Sequence, residues 1–242
     1  MTGYQFPNWN WKIGGLLPNC FASFEASFHA IFQVMHSLSL ITPIILAAGD
    51  STRMGYPKAL LPIGGETFLN RILRIVQNAG LGIPRIILGR AAEMIRPTVG
   101  IPSAAIRINP DPDRGQLSSI QLGLLSLDSS AQAAMIWPVD QPAISGDLVR
   151  SLAEQFLQSE SLIAYPKRGD KRGHPAIFHR DLFQEFMSAP LEEGPKDILV
   201  RHSEQTLVLP TEELAAVHDI DTPSDYEILT GESLEQALAR NQ

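Results

Sequence analysis

The chain has 242 residues, 44% hydrophobic and 19% charged, the composition of a globular protein long enough to bury a full core and short enough to be a single domain. A formal net charge of −7, with 19 Lys and Arg against 26 Asp and Glu, argues against a nucleic-acid partner, so any nucleotide it handles is a small one. The single cysteine, Cys20, excludes an intrachain disulfide framework and a cysteine zinc site, which fits a reducing cytoplasm, and no apolar run reaches the roughly 18 residues of a membrane span.

Residues 1–40 crowd Trp9, Trp11, Phe21, Phe24, Phe28 and Phe32 into a weakly periodic segment that does not make a signal peptide. A lipoprotein signal at Leu17-Pro-Asn-Cys20 is opposed by a very short apolar region and by Asn19 just before the cysteine. The segment is expected to be a poorly ordered extension with the physiological start at Met35, followed by one domain over 41–230 and a helical tail over 231–242.

Ile44, Ile45 and Leu46 suit a buried strand, which breaks at Ala47-Ala48-Gly49 into a small, polar loop carrying Arg53 and Lys58. Residues without bulky side chains let backbone N–H groups approach an anion, so the loop is built to hold phosphate. Its spacing is not that of a P-loop, because Tyr56 and Pro57 separate Gly55 from Lys58. A helix is expected over 67–79, with Leu69, Ile72, Val76 and Ala79 on one face and Gly80 as its stop. Short β-rich runs follow at 85–88 and 104–108, with a short helix between them, and this alternation implies a parallel sheet covered by helices.

Asn109 to Gly115 reads as a loop, and the helix after it carries Gln116, Ser118 and Ser119 in its first turn, which suits either a ligand or simple capping. The apolar run 133–139 ends in Asp140 between two prolines, at the strand edge where parallel sheets bind ligands; turn formation is the alternative. A strand at 161–165 leads into Lys167-Arg-Gly-Asp-Lys-Arg172, whose four cations make either an anion-attracting loop or a solvated turn, and then into Gly173-His174-Pro175. Short helices at 181–187 and 196–202 and a strand at 205–209 precede Asp219-Ile-Asp221, whose acids share a side if that segment is extended. Thr222-Pro223 opens a final helix, in which Ser224 and Asp225 are explained by capping and the helix dipole.

Leu46-Ala-Ala-Gly-Asp-Ser-Thr-Arg-Met-Gly-Tyr-Pro-Lys58 resembles the signature of the MobA-like nucleotidyltransferases, and within them the molybdenum cofactor cytidylyltransferases. Four further motifs are similar to that family's in the same order: the Asn109 to Gly123 segment, Pro138-Val-Asp-Gln-Pro142, Gly173-His-Pro175 and Asp219-Ile-Asp-Thr-Pro-Ser-Asp225. The resemblance implies a Rossmann-like three-layer α/β fold with a mostly parallel sheet and a Mg²⁺-dependent transfer of a nucleotide to a phosphorylated acceptor, with release of pyrophosphate. It implies nucleotide contacts at Leu46, Ala47, Ala48, Gly49, Ser51, Arg53, Lys58, Gln116, Ser118 and Ser119. Asp140, Asp219 and Asp221 become the metal ligands, Asp219 the more direct of the last two, and Gln141 and His174 face the acceptor substrate.

The residue chemistry agrees with such a reaction. Arg53, Lys58 and the loop amides would neutralise charge growing on the α-phosphoryl group and the leaving pyrophosphate, and an anionic acceptor phosphate needs no general base. The Ala47-Ala48-Gly49 form of the loop resembles the branch that uses CTP, a larger residue at 48 leaving less room for a purine. The expected acceptor is a molybdopterin-type phosphate, with a molybdoenzyme or its maturation factor as protein partner and with no nucleic acid or membrane partner. Alternatives are another nucleoside triphosphate or a sugar-phosphate acceptor, or a carrier without catalysis. Asp50 departs from expectation by placing an acid inside the phosphate loop, and Pro195 stands where relatives often continue a helix.

Overall fold

The computed structural model describes residues 37–240; Cys20, Met35 and the aromatic residues of the first segment lie outside the described residues. The core begins at Leu38, which is fully buried although it falls in the segment expected to be an extension. β1 (Ile41–Ala47) follows and is buried over all seven residues. A short antiparallel pair, β2 (Pro62–Ile63) and β3 (Glu66–Thr67), leads to α1 (Phe68–Asn78), whose N-cap Thr67 accepts the Asn70 N–H on its hydroxyl. Gly80 ends that helix at φ 75°, a left-handed conformation that glycine adopts without steric cost.

β4 (Arg85–Leu88), α2 (Ala92–Ile95), β5 (Ile106–Ile108), α3 (Gln116–Leu125), β6 (Ala133–Pro138) and α4 (Gly146–Gln158) continue the strand and helix alternation. The next elements are β7 (Ile163–Arg168), β8 (Lys171–Arg172), β9 (Ala176–His179), α5 (Phe183–Ser188), α6 (Pro195–Arg201) and β10 (Thr206–Pro210). α7 (Pro223–Thr230) and α8 (Leu234–Arg240) close the chain. Pro195 stands at the first position of α6, where its missing N–H costs nothing, so it starts a helix rather than interrupting one.

The strand order is β10-β7-β9-β6-β1-β4-β5, with β8 paired to β7. β1 runs parallel to β4 and β6, β4 to β5, and β10 to β7; β9 is antiparallel to both its neighbours, β6 and β7, and β8 is antiparallel to β7. Along β1 the side chains alternate between two cores. Ile41, Ile45 and Ala47 join the cluster under α1 and α4, whereas Ile44 and Leu46 join the cluster under α3, α5 and α6. The chain is thus a three-layer α/β structure, and the loops after β1, β4, β5 and β6 all leave the same sheet edge, where such folds hold ligands. Among the described residues no helix is long and apolar enough to cross a membrane.

α3 approaches β1 so closely that a Cβ built on Gly123 lies 2.5 Å from Ile44 Cγ2, and Ile44 is fully buried. Gly123→Ala gains about 1 kcal/mol of helix propensity and loses about 1–3 kcal/mol to overpacking. The expected net is a destabilisation of about 1 kcal/mol, read as a lower urea midpoint at unchanged slope. A raised midpoint would show that the Ile44 rotamer relaxes freely.

Candidate active site

Three segments distant in sequence meet at the end of β1. The first is the loop that leaves Ala47. Its Ser51 is held at φ 53°, its Oγ accepts the backbone N–H of Lys58 at 3.1 Å, and Met54 and Gly55 N–H groups return to the Ser51 carbonyl. A left-handed serine costs energy, and these bonds hold the turn in place. Pro57 then opens a single helical turn, Lys58–Leu60, that carries the lysine side chain into the cleft.

The second segment extends β6. Val139 N–H donates to Leu46 O at 3.0 Å, so the chain stays beside β1 until Asp140. Gln141 is buried; its carbonyl accepts the Trp137 indole N–H at 3.0 Å, and its Nε2 donates to Asp219 Oδ1 at 2.6 Å. The third segment is 219–221, whose buried Ile220 donates its N–H to the Asp140 carbonyl at 2.9 Å. That backbone bond sets the two flanking acids beside Asp140. Asp225 caps α7 through Thr222, as its sequence position indicates.

Lys58 is the shared partner of these segments. Its Nζ donates to Asp140 Oδ2 at 3.0 Å and to Asp221 Oδ1 at 2.5 Å, and Arg53 donates to Asp221 Oδ2 at 2.9 Å. The Lys58 side chain is 13% exposed, against 66% for Arg53. Burial works to lower the Lys58 pKa, but the two carboxylates outweigh it and hold the ammonium above its ordinary range. Asp140 is pushed up, chiefly because it is desolvated and despite Lys58. Asp221 is held down, first by its hydrogen bond from Lys58 and then by Arg53. One oxygen of Asp140, Oδ1, is buried without a hydrogen-bond partner.

A cavity of about 300 Å³ opens above this group, lined by Leu46, Ala47, Gly49, Ser51, Arg53 and Lys58 together with Asp140 and Asp221. Ala48 is buried and lines neither this cavity nor its neighbour, since its side chain belongs to the apolar cluster under α3. The Ser118 and Ser119 hydroxyls meet partners within the protein: Asn109 Nδ2 donates to both hydroxyl oxygens at 2.9 Å, and the Ser118 hydroxyl donates to the Gly115 carbonyl at 2.7 Å. Asn109, buried at the end of β5, is a residue whose role here is visible only in the fold.

A second cavity, of about 340 Å³, is lined by Gln116, Tyr165, Arg172, His174, Phe178 and Lys196 among others. Arg172 lies over the Tyr165 ring at 5.9 Å, while Lys167 pairs with Asp170 and Arg168 donates to the Glu212 carbonyl, so one of the four cations of that loop lines the cavity. His174 follows Gly173, is joined to Pro175 by a cis peptide bond, and donates its backbone N–H to Ala216 O at 2.8 Å. Its Nδ1 is buried without a hydrogen-bond partner, and burial pushes the imidazole pKa down although Asp219 and Asp140 oppose it. At neutral pH the ring is uncharged, a hydrogen-bonding group rather than a cation.

A mostly parallel α/β sheet with an anion loop, two cations and paired acids at one edge defines a nucleotidyltransferase. More particularly, the chain matches the MobA-like NTP transferase domain over residues 43–206 and belongs to that family. It is 28% identical over 141 residues to a probable molybdenum cofactor guanylyltransferase of Mycobacterium tuberculosis, covering 57% of this chain and 68% of that one. It is 26% identical over 142 residues to the bifunctional protein GlmU of Gloeobacter violaceus, and the match spans 57% of this chain but 31% of GlmU. Among solved structures it resembles Rv0371c of M. tuberculosis with TM-score 0.71 and 27% identity over 79% of this chain and 97% of that one. Rv0371c has also been solved in complex with manganese.

The opposite pKa directions of the two acids around Lys58 carry a stability prediction. Asp221 is lowered from 3.8, so its contribution is present above that value and is lost as pH falls through the lower folded one. Asp140 is raised from 3.8, so its charge costs stability above the folded pKa, a cost absent below 3.8. At pH 7 without divalent cations, Asp221→Asn should melt about 2–4 °C below the unsubstituted chain, whereas Asp140→Asn should melt at the same temperature or higher. A comparable drop in both would mean that the ion pair outweighs the burial of Asp140.

Proposed function

We propose that the chain transfers CMP from CTP to the phosphate of a molybdopterin-type acceptor, releasing pyrophosphate, with Mg²⁺ as the divalent ion. The observation that carries this reading is the Lys58 ammonium held between Asp140 and Asp221 at the mouth of the phosphate loop, with Arg53 on the outer oxygen of Asp221. The triphosphate lies along Leu46, Ala47, Gly49 and Ser51. Lys58, the better buried cation, serves the α-phosphoryl group, and the exposed Arg53 serves the outer phosphates.

An acceptor phosphate oxygen forms the new bond to the α-phosphorus as the bond from that phosphorus to the bridging oxygen breaks, and pyrophosphate departs with the electron pair. The attacking oxygen is already ionised, so no residue has to remove a proton. Alignment and charge screening are the protein's tasks. The second cavity suits the acceptor: Tyr165 and Phe178 offer flat apolar walls to a ring system, Arg172 and Lys196 offer cations to its phosphate, and neutral His174 and Gln116 offer hydrogen bonds.

The donor set fits a magnesium ion. Asp140 Oδ1 is buried without a partner, Asp219 stands beside it on the Gln141 amide, and both oxygens of Asp221 are engaged by Arg53 and Lys58. Asp140 and Asp219 are therefore the ligands, and Asp221 orients the two cations. Among the described residues no three acidic, histidine or cysteine side chains converge to hold an ion by themselves. This leaves the protein one or two carboxylates, the usual share for Mg²⁺ on a triphosphate. When bound, the ion screens charge on the phosphates. The manganese complex of the M. tuberculosis protein supports a divalent ion, and the single cysteine supports a cytoplasmic setting.

The Ala47-Ala48-Gly49 form of the loop supports CTP, although the buried Ala48 methyl removes direct contact with the base as the reason. GTP is the second reading, favoured by the relatives named guanylyltransferases. Pyrophosphate release with each of the four ribonucleoside triphosphates, Mg²⁺ and molybdopterin cofactor separates them. CTP should be turned over fastest; turnover with GTP alone would overturn the cytidylyl assignment, and none with any would overturn the transferase. Lys58→Ala should lower kcat by about 10²–10³-fold with a much smaller loss of nucleotide affinity. Equal losses would mean that Lys58 only binds.

A further inference from the structure

Asp50 is an acid inside a loop built for anions, and triphosphate binding gives it no use. The structure places its partner in the turn that follows a different strand. Arg90, directly after β4, forms ion pairs with the Asp50 carboxylate through Nη1 and with the Asp113 carboxylate through Nη2. Asp113 lies in the turn Pro112–Arg114 that leads from β5 into α3. One guanidinium fork therefore ties together the loops that follow β1, β4 and β5, three adjacent parallel strands. A lysine would offer both acids one compact ammonium in place of two separate, rigidly spaced guanidinium nitrogens.

The backbone beneath this fork is fixed. A Cβ on Gly89 would lie 2.2 Å from the carbonyl oxygen of Ala48, so the β4 turn and the phosphate loop touch through main chain at a place where only glycine fits. Gly49, Ser51 and Thr52 line the phosphate cavity while Asp50 does not, so the acid is turned out of the cavity toward Arg90. All three charged groups are substantially exposed, and exposed pairs add little to folding stability. Their charge, in contrast, sits one residue from Gly49 and Ser51, where the triphosphate is to bind.

We propose that Arg90 is a positioning residue for the nucleotide: it draws the Asp50 carboxylate away from the phosphate cavity and clamps the phosphate loop to the turn that introduces α3. The inference rests on the triphosphate reading of the site given above. It assigns Asp50 a structural purpose, as the handle by which the loop is held open. Without Arg90, Asp50 is an uncompensated negative charge in the wall of an anion site, and Asp113 no longer restrains the neighbouring turn.

The test uses the full chain, with CTP and GTP plus Mg²⁺ as probes. Equilibrium Kd is measured in binding experiments and KM and kcat in turnover experiments. Arg90→Ala should raise nucleotide Kd and KM roughly tenfold while kcat at saturation changes less than about twofold and the melting temperature hardly moves. Arg90→Lys should fall between. In Asp50→Asn/Arg90→Ala most of the lost affinity should return, because the repelling charge is gone. Raising salt from about 0.1 M to about 1 M, which shortens the Debye length from about 10 Å to about 3 Å, should shrink the gap between Arg90→Ala and the unsubstituted chain. Arg150→Ala, which removes an exposed cation paired within α4, should leave nucleotide affinity unchanged and controls for net charge.

Unchanged affinity in Arg90→Ala, or a double variant no better than the single one, would overturn the proposal. A chain that binds nucleotide without turnover would sink the transferase reading alone, because Kd still decides the role of Arg90. A chain that binds no triphosphate would sink both.

Discussion

An ammonium group held between two carboxylates organises the ligand edge of this protein. Lys58 comes from the loop after β1, Asp140 from the end of β6, and Asp221 from a segment 163 residues after the lysine, and their side chains converge at 2.5–3.0 Å. Each contact is partly buried, where charge pairs are stronger than at the surface and an unpaired charge is costly. The three segments therefore stabilise one another's positions. If the Lys58 turn moved, the desolvated Asp140 would lose its cation.

The cations of this group are also paired before any nucleotide arrives. Arg53 and Lys58 face Asp140, Asp221 and the adjacent Asp219, which is held on Gln141. A triphosphate entering this site meets cations already in place, fixed by acids rather than by solvent, so little reorganisation accompanies its binding. The Asp140 Oδ1 oxygen is one of three buried side-chain atoms without a partner among the described residues, with Gln141 Oε1 and His174 Nδ1. A buried acceptor without a hydrogen bond is destabilising in a resting protein and is expected at a functional position, where the completing group is supplied by substrate or ion.

How much of this was legible in the sequence depends on how local each cause is. The anion loop, Asp140 and the 219–221 pair can all be read directly, because each is a short polar break after an apolar run, with glycine or proline marking where the strand stops. The parallel sheet follows from the same alternation. What could not be read is set by pairing across the sheet. Arg90 looks like an ordinary surface arginine until its partners, 40 and 23 residues away, are brought beside it. Ser118 and Ser119 present hydroxyls at a helix start, and that both accept from the Asn109 amide is visible only once β5 and the helix are brought together. The cation-rich stretch 167–172 has a charge that the sequence states and a direction that it does not, because the β7 and β8 pairing sends its side chains to different neighbours.

The antiparallel strand β9 marks where the chain's second cavity is built apart from the groups around Lys58. It lies between β6 and β7, and the chain from Arg180 to Gln205 leaves the sheet after it and returns only at β10. That excursion supplies one wall of the second cavity, from Leu191 to Leu199, but none of the groups around Lys58. Insertions or replacements there can reshape what is received without altering the register of β1 against β6. A scaffold arranged in this way can keep the groups around Lys58 and vary the lining of the second cavity through a single peripheral segment, which makes that segment the natural place to graft a new pocket shape.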